Sequence, residues 1–392
     1  MEPYQSGYRW VILSLLWLLY VAFGLVNRAI APLVTPILED LHLSYTQMGL
    51  ILGSWQLTYI FVAMISGSVI DKWGVRSSLL AGTVIIGLSS ALRYFPKEFW
   101  SMLGSVALFG VGGSLISIGC PKAIAAWFRG KSRGTAVGIY LTGPWVGGIF
   151  SLTFTNSLVM PLTGHSWRLT FLVYGALTFT MASLWWFLGR NTEGEVSHED
   201  TGIFTVFARL IKVRNVQLVL IMALLTFAIS HGFTNWLPKI LETSGFSPAS
   251  AGILASIPIA AGIPPRLIFP SLVPPKSRKG FLSWSALFTI VTLVLSMTTS
   301  GHVQIAGLVL FGIINACFFP ILTLILMEIP EVGSRYLGAA AGMFFTIAEI
   351  GGCTGPWLTG ILVDVTGSFL AGMFFFSGLS LATFFLALLL RI

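Results

Sequence analysis

Apolar residues fall along this chain in runs of about 20, the length a helix needs to cross hydrocarbon, and short polar turns separate the runs. Inside the runs there is little of the two-residue alternation that marks a barrel strand. Each run therefore reads as a helix apolar on most of its faces. Marking them gives twelve spans, at 9–36, 46–70, 77–95, 100–127, 134–160, 168–189, 215–240, 249–272, 280–299, 303–328, 336–363 and 369–391. Twelve is even, so both termini lie on one side. The first run follows a single early Arg9, is too long for a signal h-region and lacks a small-residue cleavage site, so it is expected to be a retained helix. The expected fold class is all-α: a polytopic membrane protein with twelve transmembrane helices.

Composition agrees. Of the 392 residues, 55% are apolar and 9% charged, against about 25% charged in a typical soluble domain. That excludes a soluble enzyme, a disordered chain and a disulfide-stapled secreted domain. Cys120, Cys317 and Cys353 all sit within apolar runs and form no CxxC or Cys/His cluster, so neither a disulfide framework nor a metal site is expected.

The net charge of +8 has a topological explanation. Arg9, Lys72, Arg76, Arg129, Lys131, Arg133, Arg190, Arg209, Lys212, Arg214, Lys276, Arg278, Lys279, Arg335 and Arg391 lie on one side, 15 of the 22 basic residues. By the positive-inside rule that side is cytoplasmic, which places both termini in the cytoplasm and the chain in the plasma (cytoplasmic) membrane. Nucleic-acid binding need not be invoked.

Residues 190–214 are the one long polar stretch, with Glu193, Glu195, His198, Glu199 and Asp200 together. They divide the chain into an N-terminal six-helix bundle (1–189), a cytoplasmic linker (190–214) and a C-terminal six-helix bundle (215–392). Within 203–215 the helical period puts Phe204, Phe207 and Ile211 on one face and Arg209 and Lys212 off it, as expected for an amphipathic helix on the inner membrane surface.

The halves repeat each other. PILEDLHLSYTQMGLIL from Pro36 aligns with PKILETSGFSPASAGIL from Pro238. Gly143-Pro144-Trp145-x-x-Gly148 recurs as Gly355-Pro356-Trp357-x-x-Gly360, and TGHSW from Thr163 recurs as TGSF from Thr366. Three matches in one order point to duplicated six-helix halves. Halves related by an axis along the membrane normal place a substrate site between them near mid-depth. Extending the alignment sets Arg28 of span one opposite Ser230 or His231 of span seven.

The loop between spans two and three reads Gly67-Ser-Val-Ile-Asp71-Lys72-Trp-Gly74-Val-Arg76. It resembles the GxxxDxxGxR signature of the major facilitator superfamily, and the resemblance extends over the whole chain. Gly67 would allow close helix approach, Gly74 a tight turn, and Asp71 can stabilise a neighbouring helix N-terminus while Lys72 and Arg76 hold the inner side. The resemblance implies a conformational latch at these residues. Residues 262–280 of the second half keep the basic residues without the acidic one. Within the superfamily, Asn27-Arg28, the ALR ending at Arg93, Pro121-Lys122, NWLPKIL from Asn235 and the eleventh span look like the cyanate-permease and nitroimidazole-exporter branch. The span-four end PKAIAAWF is shared with the haem- and choline-carrier branch.

The chemistry rests on few residues. Arg28 lies deep in an apolar run, where an ionised group faces a cavity or a partner, and its planar fork suits a carboxylate or other small anion. The alternative is a structural pair. Glu349 is the one carboxylate deep in an apolar run, which desolvation suits to carrying a proton, and His231 offers an imidazole, a side-chain type suited to coupling a proton. Either could equally be a packed polar group. Trp55, Tyr59, Tyr140, Trp145, Asn235, Trp236 and Asn315 are candidate lining residues for a bound solute. Lys122, Arg266 and Arg93 lie near span ends, where gate or packing roles are expected. No catalytic residues and no cofactor are expected; GVGG around Gly112 follows no strand and precedes no Lys-Ser/Thr pair, so it reads as helix packing.

The expected function is secondary active transport of a small organic or inorganic anion, cyanate- or monocarboxylate-like, by alternating access. Arg28 would bind the anion, with Glu349 or His231 coupling a proton in symport or antiport. The alternative is a carrier of a cationic or amphipathic solute (choline-, haem- or drug-like), caged by Trp55, Tyr59, Trp145 and Trp236. A non-transporting receptor or assembly subunit is the third class. The expected partners are the solute and the lipid bilayer, with the chain acting as a monomer.

Overall fold

The structure, a computed structural model, describes residues 4–190, 203–333 and 336–391. Among the described residues it is helical, with twelve helices long and apolar enough to cross a membrane. They run Gly7–Asp40, Tyr45–Trp73, Val75–Leu92, Phe99–Trp127, Lys131–Leu162, Trp167–Leu188, Arg214–Thr243, Pro248–Leu272, Pro275–Thr298, Gly301–Glu328, Leu337–Thr366 and Leu370–Leu389, called spans 1 to 12 below. The protein is an integral membrane protein.

Backbone chemistry sets where several spans stop. Gly74, at φ +80°, makes the turn between spans 2 and 3 that a side chain would resist. Span 1 extends past the expected end at 36 but is not continuous. A helix Tyr4–Arg28 stops, a 3-10 turn covers Ala31–Leu33, and a short helix follows over Val34–Asp40. Pro32 has no N–H to offer the Arg28 carbonyl, so the ladder breaks there. A π-helical turn, Thr155–Val159, interrupts span 5. Four prolines within span 8 (Pro258, Pro264, Pro265, Pro270) are tolerated because neighbours re-satisfy the freed backbone groups.

The chain divides into two compact units. The first comprises Met1–Leu43, Ser54–Val196 and Leu241–Ser256; the second comprises Ser44–Gly53, Ser197–Ile240 and Ile257–Ile392. The first residues of span 2 thus group with the second unit, and the junction of spans 7 and 8 with the first.

Both units pack by one code, glycine against a neighbouring carbonyl, which lets helices approach closely where lipid offers no hydrophobic drive. In the first unit a Cβ at Gly24 would overlap the Pro144 carbonyl oxygen, and one at Gly147 the Val21 oxygen, locking span 1 to span 5. In the second, Cβ atoms at Gly351 and Gly355 would overlap the Leu224 and Ala228 oxygens, locking span 7 to span 11. Gly110 meets Trp55 O between spans 4 and 2, and Gly312 meets Pro258 O between spans 10 and 8. Within the second unit the first residues of span 2 pack on span 11 the same way, through Gly49 and Gly53 against Pro356 and Cys353 and through Gly360 against Tyr45. Buried hydroxyls add cross-helix bonds: Ser66 to Ser114 at 2.8 Å, Ser90 to Phe171 O at 2.8 Å, Ser380 to Ala286 O at 2.8 Å.

Of the linker, residues 191–202 lie outside the described residues, including Glu193, Glu195, His198, Glu199 and Asp200; so does Arg335. The helix expected over 203–215 is shorter, Ile203–Leu210. Among its described side chains Leu210 is buried, with Phe207 packed on the same core, while Ile211, just past its end, is exposed. Arg209 donates to the Tyr336 hydroxyl at 3.3 Å and lies over its ring. The helix is thus fastened to the start of span 11.

Candidate functional site

In the first unit, Arg28 ends the helix Tyr4–Arg28, half-buried, with Asn27 beside it. Below it, spans 1, 2, 4 and 5 build an aromatic cluster. Phe23 packs on Trp55 (ring centroids 6.2 Å apart) and Phe109 (4.9 Å), Trp55 on Tyr59 (6.0 Å), and Tyr20 on Tyr140 (5.6 Å). Trp55 and Tyr140 are buried. The Tyr59 hydroxyl shares a hydrogen bond with Ser117 at 2.9 Å, and Trp145 stands half-buried in span 5. The structure thus brings Trp55, Tyr59 and Tyr140 together as one aromatic group with Tyr20 and Phe23, two residues that sequence reasoning did not single out.

In the second unit, His231 is half-buried and stacks on Phe227 at 5.7 Å. Asn235, Trp236 and Glu349 are buried, and Asn315 is half-buried. Trp236 is fully enclosed: its indole N–H donates to Pro356 O at 2.9 Å, with Tyr45 and Phe369 against its ring. It is therefore a packing residue in this conformation, with no accessible face to offer a solute.

Gly74 makes the turn expected of it, while Asp71 and Gly67 make contacts other than those expected. Asp71 does not cap a helix. Its carboxylate accepts from the Lys122 ammonium at 2.7 Å, and the same nitrogen donates to Gly67 O at 3.3 Å. Lys122 is thereby a tie between spans 4 and 2. A Cβ at Gly67 would meet open space, so close helix approach is not what that glycine serves here. Lys72 is exposed. Arg76 donates to Trp186 O at 2.7 Å, and the Trp185 indole donates back to Arg76 O at 2.9 Å. In the second unit, the acid missing from 262–280 comes from another span: Arg278 pairs with Glu328 at the end of span 10. Arg266 donates to Ala316 O at 3.4 Å.

A carboxylate at a helix N-terminus does occur, at Asp364. Its two oxygens accept from Tyr45 N at 3.0 Å and Thr46 N at 2.7 Å, the first amides of span 2. Ser44 and Gln47 complete the end by exchanging side-chain-to-backbone bonds at 3.1 and 3.0 Å. The four amides that a helix start leaves without intrahelical partners are all satisfied.

Cys120, Cys317 and Cys353 are free and buried, and no group of three metal-ligating side chains occurs among the described residues. A surface groove of about 390 Å³ lined by Trp10, Leu13, Trp17 and Ile139 contains none of the candidate site residues.

Twelve apolar helices packed glycine to backbone in both units define a polytopic helical membrane protein. Comparison with known proteins gives the family. Residues 16–356 match the Major Facilitator Superfamily, and the chain belongs to it. A hexuronate transporter of Bacillus subtilis (strain 168) is 26% identical over 388 residues, spanning 91% of this chain and 89% of that protein. A probable sulfoacetate transporter of Cupriavidus necator is 22% identical, spanning 92% and 89%. Among solved structures, the nucleoside transporter NupG superposes with a TM-score of 0.79 at 18% identity, covering 96% of this chain and 98% of that one. A bacterial homologue of the human lysosomal transporter Spinster gives 0.78 at 18% identity, covering 98% and 95%. The protein is thus a secondary transporter of the superfamily and not an enzyme.

Proposed function

We propose that this protein carries a small organic anion, of the sugar-acid or hydroxydicarboxylate kind, across the plasma membrane by alternating access of its two six-helix halves. The observation that carries this reading is Arg28: a guanidinium at the end of an interrupted helix, in a span otherwise almost wholly apolar. A charged side chain at such depth faces a cavity or a partner, and a planar guanidinium suits the carboxylate of a bound anion. The names of the relatives support the same class, since they include transporters of hexuronate, tartrate and sulfoacetate. They favour a polyhydroxylated or sulfonated acid over cyanate or a simple monocarboxylate. The rings of Trp55, Tyr59 and Tyr140 would lie against the solute, Glu349 or His231 would couple a proton, and both termini would face the cytoplasm. A cation cage has less support, because Trp236 is enclosed and Trp55 packs edge-on against three other rings.

The experiment is uptake into vesicles reconstituted with the full chain, using D-galacturonate, tartrate, sulfoacetate, cyanate and choline, together with the melting temperature in each. A carrier is stabilised by what it binds, by mass action. One or more of the organic acids should raise the melting temperature and be taken up, and Arg28→Ala should abolish both effects while the protein still inserts. Choline binding without acid binding would overturn the reading.

A further inference from the structure

Arg93, placed by sequence at the bland end of span 3, is fully enclosed at 1% exposure. One terminal nitrogen donates to Val26 O at 3.1 Å and the other to the Ser89 hydroxyl at 3.1 Å. Ser89 in turn donates to Ser105 O of span 4 at 2.7 Å. The guanidinium lies 5.3 Å from the centroid of Phe171 in span 6. The side chain ties span 3 to spans 1 and 6, and Ser89 carries the link on to span 4. Among the described residues no carboxylate pairs with Arg93.

A buried charge without a counter-ion is a cost to the fold, and an apolar side chain of the same bulk is often neutral or better for stability in such a place. Its contacts show where the charge acts. Val26 lies in the last turn of the helix Tyr4–Arg28, whose terminal carbonyls are not all claimed by the broken ladder and carry the negative end of the helix dipole. A cation that bonds a carbonyl of that turn holds the helix end in place, and the next two residues are Asn27 and Arg28. Asn27 Nδ2 of that turn and Arg93 Nε beside it are both buried without an acceptor.

We propose that Arg93 is a positioning residue for anion binding: it clamps the end of the first helix of span 1 so that Arg28 is presented at a fixed place, and it adds a second positive charge behind it. This rests on the reading that Arg28 holds the anion. The test uses the full chain in three forms, wild type, Arg93→Met and Arg93→Lys, and three readouts: melting temperature, amide hydrogen exchange of residues 29–33, and KM with Vmax for D-galacturonate uptake. For Arg93→Met the expected result is an unchanged or higher melting temperature. Exchange at 29–33 should be at least tenfold faster, and KM at least tenfold higher with Vmax within twofold. Arg93→Lys, which keeps the charge and loses the fork, should fall between. A merely structural arginine predicts the opposite, a lower melting temperature with KM unchanged, and that result overturns the proposal, as does unchanged exchange at 29–33. If Arg28→Ala leaves binding intact, the parent reading fails, while the exchange readout still decides the clamp by itself.

Discussion

The Asp364 cap on span 2 gives a perturbation whose size can be worked from its geometry. Replacing Asp364 by Ala removes both acceptors from Tyr45 N and Thr46 N. Loss of a capping acceptor costs about 1 kcal/mol, and loss of a negative charge at a helix start adds about 0.5 kcal/mol at an exposed site. Asp364 is exposed, so water screens part of this and rebonds the freed amides. The net effect should be roughly 1 kcal/mol, or about fivefold in the local opening equilibrium. Hydrogen exchange followed by mass spectrometry on a peptide covering 44–50 reads that equilibrium directly. Asp364→Ala should speed exchange at the first two amides about fivefold. Asp364→Asn keeps a neutral acceptor and should speed it about twofold. Gln47 N is held by Ser44 instead and should stay slow in both. Equal exchange in Asp364→Ala and wild type would refute the reasoning, since the two bonds would then contribute nothing to the helix start.

Three further predictions are independent of that one. Glu328→Gln leaves the Arg278 guanidinium, 7% exposed, without its carboxylate; breaking a fully buried pair costs about 3–5 kcal/mol, and the half-exposure of Glu328 cuts this to roughly 2 kcal/mol. The melting temperature should fall by a few degrees and recover when Arg278→Met is added. Gly351→Val places side-chain atoms against the Leu224 carbonyl, a backbone group that cannot turn aside, so folded yield after detergent extraction should collapse. Gly338→Val, whose Cβ position is open, should leave the yield near wild type. Glu349→Gln should abolish solute-driven pH change in vesicles loaded with a pH dye while leaving solute counterflow intact; loss of both would remove Glu349 from proton coupling and make it a packing group.

Much of this protein was readable along the chain because lipid imposes a one-dimensional rule. Every spanning backbone must satisfy itself, so apolar length alone yields twelve helices, and the turn at Gly74 follows from glycine's freedom in φ; the break at Pro32 lies inside a run read as continuous. The repeated Gly-Pro-Trp segments fall in spans 5 and 11, which pack glycine to backbone against span 1 and span 7 respectively.

What sequence could not supply is the partner of each polar group, because those partners lie in remote spans. The capping carboxylate expected at Asp71 appears instead at Asp364, 318 residues along from the Thr46 amide it holds. Arg278 finds its acid in span 10, Trp236 spends its N–H on Pro356, and Arg93 becomes a buried tie from span 3 to spans 1 and 6. Span number and helix ends follow from solvent and local stereochemistry, which act on neighbours in the chain. Pairing is settled by which helix faces come within about 3 Å of one another, a distance that only the packed structure sets.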